Sequence, residues 1–236
     1  TFLVASADSA AAITVAGSVL GASDGVGTVQ ITNTGGTTFS GTVGNTANTL
    51  ALINIDQDTT FSGSVEATAI NNAASTTATF SDNVTATITN SGTLLFNATD
   101  AKSVTGTIAE AAEGDTTEIK VINSANGEAP SVVTFKNTVA ADTLTVGTTS
   151  KAGAALFEEA VTTPTINVVG GDHGDEDSTV TFDKAVTATS GITLDDNTGV
   201  TKVIFAQNNT VNIASTIDGG ADNEGTIQVT GATKTF

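Results

Sequence analysis

The sequence predicts an all-β fold, a repetitive β-solenoid of the parallel β-helix kind. Three observations predict it: a β-branched, small-residue composition, a recurring Phe–Val unit, and short turn-forming stretches between its apolar segments. The competing architecture is one or two antiparallel β-sandwich domains, because frequent turn signals between short strands fit hairpins as well. A sandwich, however, does not require the same Phe–Val unit again and again.

Composition comes first. The 236 residues are dominated by Thr, Ala, Val, Gly, Asn, Ser and Ile, with ten Phe, two Pro, and no Trp, Tyr, Met or Cys. Val, Ile and Thr carry two heavy atoms on Cβ and favour the pleated backbone. Disorder is a poor reading, because disordered chains lack β-branched residues.

The repeat is read from phenylalanine. The ten Phe fall at positions 2, 39, 61, 80, 96, 135, 157, 182, 205 and 236. Most steps are 16–25 residues, and the steps of 37 and 39 read as two units with one Phe replaced. Thr precedes the ring at Thr38, Thr60, Thr79, Thr134 and Thr181, and Val follows four residues later at Val43, Val65, Val84, Val139, Val161 and Val186. Ala67, Ala86, Ala141 and Ala188 take the sixth place, and Ile70, Ile88, Leu144, Ile166 and Ile192 come soon after. Alternating stretches such as Val29-Gln30-Ile31, Ile53-Asn54-Ile55 and Ile166-Asn167-Val168 complete the unit.

Alternation sends one face of each short strand inward. Between Phe and Val lie Ser-Gly-Thr, Ser-Gly-Ser, Ser-Asp-Asn or Lys-Asn-Thr, which form corners. A unit of about 20 residues therefore holds two or three strands, and it buries its apolar face only by stacking on copies of itself. Phe is expected to stack on Phe along the axis. Helix content is expected near zero, with the Ala- and Glu-rich run 108–118 forming a loop insertion. Residues 1–236 read as a single repetitive region. The Thr1-Phe2 and Thr235-Phe236 pairs resemble the corner-opening T-F pairs elsewhere, so the region is expected to be a segment of a longer chain.

Charge excludes some partners. Seven Lys and Arg against 25 Asp and Glu give a net charge of −18. Nucleic acid and anionic membrane surfaces are repelled, since binding them takes clustered basic residues. Metal cations, basic proteins and neutral glycans stay compatible. No stretch of about 20 mainly apolar residues reads as a membrane span.

The units Thr79-Phe80-Ser81-Asp82-Asn83-Val84-Thr85-Ala86-Thr87-Ile88 and Val180-Thr181-Phe182-Asp183-Lys184-Ala185-Val186-Thr187-Ala188-Thr189 resemble the repetitive passenger regions of alphaproteobacterial autotransporter surface antigens, the rickettsial type in particular. The resemblance covers most of the chain. It implies a surface-exposed passenger or surface-layer (S-layer) protein with structural or adhesive duties.

The chemistry-bearing residues are few. His173, in Gly170-Gly171-Asp172-His173-Gly174-Asp175-Glu176-Asp177, is the only histidine, and a Gly-rich polar loop is a poor mount for a catalytic triad. The same loop is the best metal candidate: Asp172, Asp175, Glu176 and Asp177 offer hard oxygen ligands of the type calcium takes six to eight of. Asp218, Asp222 and Glu224 form a second candidate calcium loop, and Asp56-Gln57-Asp58 and Asp195-Asp196-Asn197 are further acidic loops. The alternative for all of them is a solvated acidic face. Polysaccharide-cleaving sites combine carboxylates with basic residues and aromatic platforms, and the sequence offers no such cluster. No catalytic or cofactor-binding residue is expected, and no enzyme activity.

The expectation is thus an extracellular structural protein of a bacterial cell surface. It would act in a surface layer, sheath or filament by self-assembly with copies of itself, with calcium as the one candidate cofactor. The alternative is an adhesin passenger or phage-fibre stalk that binds a host or glycan ligand.

Overall fold

In a computed structural model, residues 1–6, 11–112, 115–123, 128–206, 210–220 and 225–230 are described. The chain is a β-solenoid. Its strands stack in parallel with their repeat positions in register, and no helix occurs among the described residues. It divides into two compact units, Thr1–Leu95 with Val104–Thr117, and Phe96–Ser103 with Glu118–Phe236.

In the first unit each coil contributes to two sheets. One sheet stacks the strands Ile13–Val15, Thr37–Phe39, Thr59–Phe61 and Thr77–Phe80. Their register aligns Val15 with Phe39, Phe39 with Phe61, and Phe61 with Phe80. Val15 therefore holds the ring position that the 37-residue step leaves empty. Phe2 stands elsewhere: it lies in the strand Phe2–Val4 opposite Val29, 43% exposed and outside the ring column. The other sheet stacks Phe2–Val4, Thr28–Ile31, Leu50–Ile55, Val65–Asn72 and Val84–Asn90. In Val65–Asn72 the V-x-A and I-x-N segments run together as one strand, with the register shifting between Glu66 and Ala69. An extra residue on one strand bends it there, which is how a long strand turns a corner.

The second unit separates those segments, so each coil has three strands. The first column holds Val132–Phe135, Ala154–Phe157, Ser178–Phe182, Thr201–Phe205 and Thr226–Val229. The short strands Val139–Ala140, Val161–Thr162, Val186–Ala188 and Val211–Ile213 form the second. Glu118–Val121, Thr143–Val146, Thr165–Val169, Gly191–Asp195 and Ile217–Gly219 form the third.

The core is a set of columns. Phe39, Phe61 and Phe80 stack with centroids 5.2 Å apart at each step and ring planes within 8°. Phe135, Phe157, Phe182 and Phe205 stack at 4.6, 5.4 and 5.9 Å. Parallel strands lie about 4.8 Å apart, so rings in register fall naturally into offset stacking contact. Phe96 meets Phe135 edge-on at 5.0 Å. The Ile122 N–H donates to Phe96 O as the Ser62 N–H does to Phe39 O, so the buried Val121 takes the ring place one coil after Phe96, within the 39-residue step. The expected loop insertion is also partly strand: Ile108–Glu110 pairs in parallel with Ile88–Asn90. Its alternation places Ile108 in the core beside Ile88, and this outweighs the helix-favouring Ala and Glu.

Corners that sequence pattern alone assigns to generic turns are held by buried asparagines. Asn33, Asn72, Asn90 and Asn123 are all nearly inaccessible. Asn72 Nδ2 donates to Asn90 Oδ1 at 2.9 Å, Asn90 Nδ2 donates to the Gly92 carbonyl at 2.9 Å, and Asn90 Oδ1 accepts the Gly92 N–H at 3.2 Å. In the second unit, Asn123 Oδ1 accepts the Ala154 N–H at 2.7 Å, and its amide donates to the Ala154 carbonyl at 3.1 Å. One amide thus satisfies corner groups of two coils, as burial demands. Asn90→Ala would remove the acceptor of the Gly92 N–H and one of the two acceptors of Asn72 Nδ2, leaving Asn72 its 3.3 Å bond to Thr93 O. We expect a loss of about 1–3 kcal/mol, measured by denaturant unfolding. Asn71→Ala, at an exposed position one residue from Asn72, is expected to cost under about 1 kcal/mol.

Candidate functional site

The acidic loop 170–177 packs against the corner of the following coil. The Gly170 N–H donates to Asp195 O at 2.9 Å, and the Thr198 and Gly199 N–H groups donate to Gly171 O at 3.1 and 2.9 Å. Within the loop, Gly171 N–H donates to Glu176 O at 3.0 Å, and Glu176 N–H donates to His173 O at 3.0 Å. The glycines are required by crowding: a Cβ on Gly171 would stand 2.3 Å from Glu176 Oε2, and one on Gly199 would stand 2.1 Å from Glu176 O.

This packing separates the predicted ligands. Glu176 is 0% exposed, with its carboxylate against Gly171, whereas Asp172, Asp175 and Asp177 are all exposed. Asp177 Oδ1 accepts the Val200 N–H at 2.8 Å, and His173 Nε2 stands 3.7 Å from Asp172 Oδ1, both side chains half exposed. Asp218 is exposed on the strand Ile217–Gly219, opposite Thr193. Asp222 and Glu224 lie outside the described residues. Among the described residues, no group of three or more His, Asp or Glu side chains is arranged to hold a metal ion.

Several acidic residues share a different geometry: their carboxylates accept backbone N–H groups of a neighbouring coil. Asp58 Oδ1 accepts Thr77 N–H at 2.8 Å in the first unit. In the second unit, Asp196 Oδ2 accepts Gly225 N–H at 2.9 Å. With Asp177 and Val200, these make charge-assisted staples between successive coils, stronger than neutral hydrogen bonds. The sequence signal for them is an acid placed just outside an alternating strand, which sequence reading takes as a solvated loop.

The outer faces carry ordered rows as well. In the first unit Asn71 Nδ2 donates to Asn54 Oδ1 at 3.0 Å, Asn54 Nδ2 donates to Gln30 Oε1 at 2.9 Å, and Gln30 Nε2 donates to Asp56 Oδ2 at 2.6 Å. Thr14, Thr38, Thr60 and Thr79 form a second row, paired in register. Among the described residues, no helix is long and apolar enough to cross a membrane. Comparison with family models, curated proteins and solved structures gives no match to this chain.

Proposed function

We propose that the chain is a structural module of an extracellular bacterial surface assembly, such as a surface layer, sheath or filament, that works by packing against copies of itself. One observation carries this reading: the first unit repeats its outward side chains in register. The Gln30–Asn54–Asn71 amide row and the Thr14–Thr38–Thr60–Thr79 row present the same group at each strand step. A surface that repeats with the strand spacing matches another copy at many points at once, so weak contacts add along the row. The likeness of the Phe–Val units to autotransporter passenger repeats supports the same setting.

Calcium belongs to this proposal. Copies at net charge −18 repel one another, and salt screens that repulsion only beyond about 8–10 Å. A divalent cation shared by exposed carboxylates, Asp172 and Asp175 in the acidic loop and Asp218 on the strand Ile217–Gly219, offsets it at closer range. Full-length chain is expected to sediment as ordered oligomers in calcium and to shift toward monomer on chelation, with magnesium restoring them poorly. A strict monomer in calcium-containing buffers, with no lattice or filament in electron micrographs, would overturn the assembly reading. Oligomers indifferent to chelation would remove calcium alone.

A further inference from the structure

We infer that the outer face of the second unit, beside the acidic loop, is a docking groove for a short, extended peptide segment carrying Lys or Arg between aliphatic residues. The groove encloses about 460 Å³, within the size range of specific ligand pockets. Ala129 and Pro130 line it together with Val132, Leu156, Asp175 and Asp177.

Its floor departs from the repeat. Threonine precedes phenylalanine at Thr134 and Thr181, and both lie in the outward row to which Leu156 belongs. Leu156 takes the threonine position between them, half-buried, while its neighbours Ala155 and Phe157 turn inward. Val132, in the adjacent outward row, is 40% exposed, although a sheet face in water has no structural need of valine there. The first unit keeps hydroxyls in the matching place before its stacked rings, at Thr38, Thr60 and Thr79.

Charge selects the occupant. Asp175 and Asp177 line the groove, and Glu158 and Asp183 directly follow the inward rings Phe157 and Phe182, just past the ends of their strands. Two cations share these outward rows, Lys202 opposite Thr179 and Lys136 just after Phe135. Four carboxylates against two ammoniums leave a negative field over an apolar floor. A Lys or Arg side chain fits this pairing, because its stem lies on apolar surface while its head reaches a carboxylate. A second copy of this chain, at net charge −18, brings the wrong sign.

The test uses the full chain in chelator with a labelled hexapeptide of alternating Lys and Leu. A Lys/Ser and a Glu/Leu hexapeptide serve as controls, and methyl spectra report the site. Binding of the Lys/Leu peptide is expected, weakening as salt rises, with the largest shifts at the Val132 and Leu156 methyls. Leu156→Thr, which restores the residue of the repeat, should weaken binding about fivefold. Asp175→Asn with Asp177→Asn should weaken it about threefold to tenfold and flatten the salt dependence. The Asp177→Asn carbonyl still accepts the Val200 N–H, so the fold is kept. Equal affinity for the Lys/Ser peptide would overturn the inference, as would unchanged binding by Leu156→Thr. So would shifts centred elsewhere, or no binding at about 1 mM peptide.

Discussion

Phe157→Ala is expected to cost the second unit about 3–5 kcal/mol. Phe157 is fully buried and lies between Phe135 at 4.6 Å and Phe182 at 5.4 Å, with all three in strand register. Removing the ring opens a cavity with rings above and below, and neither neighbour can fall into it without leaving its own strand. The loss should therefore be local, since coils interact with their neighbours in a nearly one-dimensional way. Hydrogen exchange should show reduced protection in Val132–Phe135 and Ser178–Phe182 before it does in Glu118–Val121. Phe2→Ala, at an exposed position off the ring column, should change stability by no more than about 0.5 kcal/mol. Comparable losses from both variants would mean the ring column is not the core.

Gly106→Ala is expected to destabilise the first unit by about 2–5 kcal/mol, from backbone strain and overpacking together. Gly106 has φ +121°, and a Cβ there would stand 1.9 Å from the Ala86 carbonyl oxygen on the neighbouring coil. A carbonyl committed to the backbone cannot give way as a flexible side chain would. Gly17 is the matched control. A Cβ there meets nothing within 4 Å and no positive φ is involved, so Gly17→Ala should be neutral or slightly stabilising. Thermal unfolding of the two variants separates a steric requirement from a general intolerance of alanine.

Much of this fold is legible in the sequence because one physical constraint is written many times. Val43, Val65, Val84, Val139, Val161 and Val186 are all buried four residues after a ring, and Ala67, Ala86, Ala141 and Ala188 are buried two residues later. Each position faces the same neighbours in the coils on either side, so the pattern survives local substitutions such as Val15 for Phe. The asparagine corners were less visible. Asn33, Asn72, Asn90 and Asn123 each follow a core Ile or Val by two residues, but Asn is so frequent in this chain that the spacing does not stand out. Ile108–Glu110 was hidden by helix-favouring neighbours, since three residues are too few to show a period.

The acidic loops were legible as acidic and opaque as structure. Nothing in Asp172 to Asp177 distinguishes Glu176, which is buried, from Asp175 beside it, which is exposed. Burial is decided by Gly171 and Gly199 closing on the Glu176 side chain and backbone, and Gly199 comes from a corner more than twenty residues away in sequence. The staples from Asp58 to Thr77 and from Asp177 to Val200 likewise join positions one coil apart. Only the coil length, about 19–25 residues between stacked rings, makes those partners adjacent.

The in-register stacking of the first unit also makes its length a quantity that can change in whole steps. The Ser62 N–H donates to Phe39 O, and the Ser81 N–H donates to Phe61 O. Ser62 and Ser81 thus occupy equivalent places after equivalent rings. Residues 62–80 are one period, and joining Phe61 directly to Ser81 would bring together two ends that already share a conformation. Such a deletion shortens the stack by one strand spacing, about 4.8 Å, and a duplication lengthens it by the same amount. Gain or loss of a coil by unequal recombination therefore acts on this unit as a ruler is cut or extended, with its cross-section conserved.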